Sequence, residues 1–117
     1  MKKAITLLLA LMMSVSLTAC SIGQVKGTVI CQNEERMAVL DIMPQKLFEF
    51  ADIGDSVTVT VGDFEQEMIL VDQVIAEDGM LQLVYDPDLH SLSICAYNQD
   101  FCKVYGVSVN AKVLIAK

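Results

Sequence analysis

Val57, Val59 and Val61 alternate with Ser56, Thr58 and Thr60. That period of two puts the valines on one face of a strand and the hydroxyls on the other. Gly54-Asp55 opens this strand, and Gly62-Asp63 reads as a hairpin turn into a second strand over residues 66–74. Upstream, 25–31 and 37–42 are rich in β-formers and flank the polar turn Gln32-Asn33-Glu34-Glu35. Downstream, Asp78-Gly79 predicts another hairpin, because type I′ turns need positive φ. Leu81, Leu83 and Tyr85 alternate next, Asp86-Pro87-Asp88 turns the chain, 92–96 forms a strand, and 112–116 closes the pattern.

Two segments carry helical spacing instead. Pro44 suits the first position of a helix, and Met43, Leu47 and Ala51 recur every fourth residue. Phe101, Val104 and Tyr105 stand at i, i+3 and i+4 ahead of Gly106. The expectation is a mostly β domain over 25–117: a small closed or partly open β-barrel of six to seven strands with two short helices. Asp52-Ile53-Gly54-Asp55-Ser56-Val57 and Ser108-Val109-Asn110-Ala111-Lys112-Val113 share one rhythm, and each follows a predicted helix. This echo suggests a helix–turn–strand device used twice.

Residues 1–19 read as a signal peptide. Lys2 and Lys3 precede an apolar run from Ala4 to Leu17, 14 residues long and short of the roughly 20 that a spanning helix needs. Leu17-Thr18-Ala19-Cys20 resembles the lipobox of bacterial lipoproteins, in which the Cys20 thiol is alkylated by diacylglycerol and the new amino terminus then acylated, typically with palmitate. A thiolate is the side chain that attacks such a donor well at neutral pH, and two or more acyl chains suffice for stable anchoring. The expected location is extracytoplasmic, lipid-anchored to the cell membrane, or to the outer membrane if the host has one. Residues 20–24 would be the lipidated cysteine and a short tether.

From Cys20 onward, 98 residues carry six basic and fifteen acidic side chains, a net charge of −9. No basic patch is available to neutralise phosphates, which excludes nucleic acid as a partner. Three cysteines remain beside Cys20. A Cys95–Cys102 bridge and buried free thiols, Cys31 included, both fit outside the cytoplasm. No cofactor signature is present, and catalysis by the domain alone is not expected. Asp86, Asp88 and His90 place ligand-type side chains at alternate positions, a weak metal candidate; the same Asp-Pro-Asp string is what a tight turn between strands needs.

Ala51-Asp52-Ile53-Gly54-Asp55-Ser56-Val57-Thr58-Val59 resembles the G-D-x-V-x-V strand entry in the C-terminal domain of the S-adenosylmethionine (SAM) hydroxide adenosyltransferase family, related to fluorinases and chlorinases. Leu92-Ser93-Ile94, Asn98-Gln99-Asp100-Phe101 and Tyr105-Gly106-Val107-Ser108-Val109 are similar to the closing segments of that domain. Val39-Leu40-Asp41-Ile42 with Leu47-Phe48 resembles a further stretch. The leader stands where the family has a larger catalytic domain, and the family's F-G-N motif would fall near Glu35-Arg36-Met37 without matching it. The resemblance implies a lone C-terminal domain, a lipid-anchored and noncatalytic binding module. Tyr97, Asn98 and Phe101 would face an adenine nucleoside or a protein partner. The alternatives are a subunit completing a site that converts SAM and water to adenosine and methionine, and a purely structural envelope lipoprotein.

Overall fold

The computed structural model describes residues 23–117. The leader and Cys20 lie outside the described residues. Seven strands, β1 (Gln24–Gln32), β2 (Ala38–Leu40), β3 (Ser56–Val61), β4 (Phe64–Val71), β5 (Leu81–Asp86), β6 (Ser91–Ala96) and β7 (Lys112–Ala116), close into a barrel in the order β1-β2-β6-β5-β4-β3-β7. Two short helices, α1 (Pro44–Leu47) and α2 (Phe101–Tyr105), complete the mostly β domain. β1 begins within the expected tether, and the Lys117 amide donates to the Gly23 carbonyl at 3.3 Å.

Val57, Val59 and Val61 point into the barrel, where they meet Leu70, Leu83, Ile94 and Ile115. The helices fill the two open ends. Leu47 and Phe101 are both fully buried. Phe48 packs edge-on against Tyr85, near the finish of β5, whereas Phe101 packs against Phe64, at the start of the parallel strand β4. α2 is well delimited: the Asp100 side chain accepts from the Lys103 amide, and Gly106 ends the helix at φ 66°. α1 is shorter than its spacing predicts, and Met43 is exposed. Ala51 still reaches the core, because its amide bonds back to Leu47 at 3.0 Å.

The repeated device is real and sets the topology. The Gly54 amide donates to the Leu70 carbonyl at 2.7 Å, and the Leu70 amide donates to Asp55 at 2.8 Å. In the other copy, the Asn110 amide donates to Val29 at 2.7 Å and the Val29 amide to Ala111 at 3.0 Å. Gly54 and Asn110 both have positive φ, 98° and 74°. The strands that follow, β3 and β7, pair antiparallel about Val59–Ile115. β2 and β6 pair likewise about Val39–Ser93. Each seam therefore joins equivalent strands of two half-barrels, with β5 added to the second half.

One expectation is corrected. Asp78-Gly79 does turn, with Gly79 at φ 76°, but it joins no hairpin: β4 ends at Val71 and pairs with β5 in parallel. Residues 72–80 instead cross the outside of the sheet. Of the two cysteine alternatives the chain takes the free thiols: Cys95 is buried, Cys102 half-buried and Cys31 exposed. Cys95 packs on the outer face of β6 with Met37 and Val84, whereas Cys102 lies against the inner core.

Gly27 on β1 faces the chain leaving β2. A Cβ there would sit 2.5 Å from both the Asp41 carboxylate and Ile42 Cγ1, while one at Gly23 would meet nothing within 4 Å. Gly27→Ala is expected to destabilise the chain by about 1–3 kcal/mol through overpacking, against a negligible change for Gly23→Ala, read as denaturant midpoints. The same approach lets Asp41 accept from the Thr28 amide at 2.6 Å and the Thr28 hydroxyl at 2.9 Å. Those bonds hold its carboxyl below the ordinary value of 3.8. The stabilisation is thus complete above pH 3.8 and is lost as pH falls through the lowered pKa. In acid titrations, wild type should lose stability more steeply below pH 4 than Asp41→Asn.

Candidate functional site

The outer face of β2, β6 and β5 carries a second apolar surface. Val39, Ser93 and Val84 form one cross-strand row there, and Gln82 and Cys95 form the next. Part of this surface is covered by the 72–80 crossover. Fully buried Gln82 accepts from the Ile75 amide at 2.7 Å and donates to the Ile75 carbonyl at 3.0 Å. That pair gives the Ile75 N–H its partner and adds a second donor to the Ile75 carbonyl, which also accepts from the Glu77 amide at 3.0 Å. Val74 and Ile75 then pack against Met37, Val71, Val84 and Cys95. β5 and β6 are consequently buried on both faces, as strands between two layers are.

Beyond the crossover the surface stays open as a trough with two compartments. The smaller, of about 290 Å³, is lined by Glu35, Arg36, Met37, Val74, Cys95, Ala96, Tyr97 and Asn98. Two turns meet at it. In the β1–β2 turn, Asn33 Oδ1 accepts from the amides of Glu35 and Met37, both at 3.0 Å, and Arg36 stands at φ 63°. In the turn after β6, Asn98 stands at φ 60° and donates from Nδ2 to Asp78 Oδ1 at 2.6 Å. The Tyr97 amide donates to the Met80 carbonyl at 3.1 Å, and the half-buried Tyr97 side chain forms part of the wall. The larger compartment, of about 640 Å³, runs from the Asn33 turn to the β5–β6 hairpin and shares Glu35, Met37 and Val74 with the smaller.

Of the residues singled out from sequence, Tyr97 and Asn98 line the small compartment, as do Glu35, Arg36 and Met37. Phe101 does not. It is fully buried inside the barrel, edge-on to Phe64 and tilted against Tyr105, and offers no contact surface. At Asp86, Asp88 and His90 the chain takes the tight-turn alternative. Asp86 Oδ1 accepts from the amides of Asp88 at 2.9 Å and Leu89 at 3.3 Å, and His90 takes φ 49°, so the strand alternation that would align the three is broken. Among the described residues no cluster of metal-ligating groups forms. Burial raises the Cys95 and Cys102 thiols, with the nearby charges of Glu35 and Asp100 adding to it. Both are therefore poor nucleophiles at neutral pH.

Sequence reasoning missed Val39, Ser93 and Asp72 as lining groups. One signal was available: Ser93 is a polar residue flanked by Leu92 and Ile94, which fill the interior.

No family model matches the chain, and no curated protein matches it. Among solved structures it is similar to that of an uncharacterized conserved protein from Thermotoga maritima, with TM-score 0.71 and 21% identity. The likeness covers 80% of this chain and 36% of that one, so the chain spans little more than a third of its neighbour's length. At this identity the likeness shows the fold.

If the Gln82–Ile75 pair holds the trough's wall in place, Gln82→Ala must loosen it. The expected outcome is a loss of about 2–4 kcal/mol, from one unsatisfied backbone N–H and a cavity. Amide exchange at residues 72–80 should accelerate ahead of the barrel strands.

Proposed function

We propose that this chain is a noncatalytic binding module, tethered by lipid on Cys20 outside the membrane, whose small compartment holds an adenine nucleoside. One observation carries the reading. The Glu35-Arg36-Met37 turn and the Tyr97-Asn98 turn, 60 residues apart in sequence, converge on a single cleft. The second is where the resemblance to the SAM hydroxide adenosyltransferases puts adenosyl contacts; the first is where that family's F-G-N motif would fall, with different residues in its place.

The chemistry of the cleft suits a base. Tyr97 supplies an aromatic surface, and stacking a base on such a ring contributes about 1–3 kcal/mol. Asn98 and the backbone of both turns supply polar groups at the edge. Arg36 and Asn98 hold left-handed backbone conformations, which persist where surrounding contacts over-determine them and which cluster at ligand clamps. A volume near 290 Å³ lies at the bottom of the usual range for small-ligand sites, enough for a base and its sugar in a half-open cleft. Catalysis is not part of the proposal. A water-activating group for SAM hydrolysis would have to come from a partner subunit.

Calorimetry of the full chain in non-ionic detergent tests the binding reading. Adenosine should give saturable heat, weakened at least fivefold by Tyr97→Ala; no heat at millimolar adenosine would leave the structural-lipoprotein alternative. The anchor is tested separately. Cys20→Ser should abolish incorporation of labelled palmitate and release the chain from the membrane fraction.

A further inference from the structure

The larger compartment has a chemistry of its own. Its floor is the cross-strand row Val39–Ser93–Val84, two apolar side chains on either side of one hydroxyl. Its rim carries five carboxylates, Glu34, Glu35, Asp72, Asp86 and Asp88, and no lysine or arginine lines it. Among the described residues the one ion pair is Lys117–Asp55, which joins the end of β7 to the start of β3, across the barrel from this row. The rim carboxylates are therefore without a cationic partner.

Ser93 points to an occupant. It is only 7% exposed, and among the described residues its hydroxyl makes no hydrogen bond. Every sealed side-chain polar atom does have a partner, so the Ser93 oxygen is open to the compartment. Water meets a hydroxyl that is open to the compartment, and a ligand N–H donated to the Ser93 oxygen would take that water's place.

We infer that this compartment binds a small organic cation: one or more ammonium or guanidinium groups on a short apolar stem. The rim carboxylates would take the charge, the valines the stem, and the Ser93 oxygen would accept from the inner N–H. The barrel is closed, so no free strand edge is offered to an extended peptide, and a volume near 640 Å³ fits small molecules well. This inference does not rest on the nucleoside reading, which concerns the other compartment.

The test is calorimetry of the full chain with 1,5-diaminopentane and agmatine, at low salt and at 150 mM salt, with 1,5-pentanediol as the neutral comparator. One saturable site for the cations and none for the diol is the expected result. Binding should weaken tenfold or more in Glu34→Gln/Asp72→Asn and threefold or more in Ser93→Ala. Glu65→Gln/Glu67→Gln, which removes the same charge from exposed positions on β4, should leave it unchanged, and so should Tyr97→Ala. Equal responses to diamine and diol would overturn the inference. So would equal losses in the two charge-matched double variants, or undiminished binding in Ser93→Ala.

Discussion

Barrel closure here depends on two antiparallel seams, β3 with β7 and β2 with β6, that join equivalent strands of two half-barrels. Neither half can satisfy its own edge: β3 and β2 would each present a row of unpaired backbone groups without the opposite copy. The same left-handed turn, at Gly54 and at Asn110, feeds each strand into the β3–β7 seam with the same set of backbone hydrogen bonds. Once these strands are paired, the helices that precede β3 and β7 are carried to opposite ends, where Leu47 and Phe101 seal the interior. Core, closure and end-plugs thus follow from one device used twice.

Asymmetry enters with β5. It adds a strand to the second half, runs parallel to β4, and so requires a crossover outside the barrel. That crossover needs something to lie on, and the sequence supplies a second apolar face on β2, β5 and β6. Gln82 fastens the crossover through paired hydrogen bonds to Ile75. Because the crossover covers only part of the face, the remainder is left as a trough. The candidate site is therefore a by-product of how the extra strand is accommodated, which places it on the outer wall and not in the barrel's filled interior.

Local chemistry made some of this legible from sequence and hid the rest. The valine alternation of 57–61 states its own orientation, and Asp100 with Gly106 delimits α2 without help from the rest of the chain. The Asp78-Gly79 turn was read correctly as a turn and wrongly as a hairpin, since turn residues fix a reversal but not which strands pair afterwards. The family resemblance puts Phe101 on the contact surface with Tyr97 and Asn98. The short helix between that turn and β7 rotates it inward instead, where it joins Phe64 from 37 residues upstream. The row Val39–Ser93–Val84 could not be read at all, because its three members come from three strands and meet only through sheet register.

Both proposed ligands would sit on the outer wall of β2, β6 and β5. Amide chemical-shift mapping of the full chain, titrated with adenosine and 1,5-diaminopentane together, reads that location directly. The expected changes are confined to Arg36, Met37, Val39, Val84, Ser93, Tyr97 and their immediate neighbours, and saturate with ligand. Changes centred on the β3–β7 wall, or no saturable change anywhere, would contradict it.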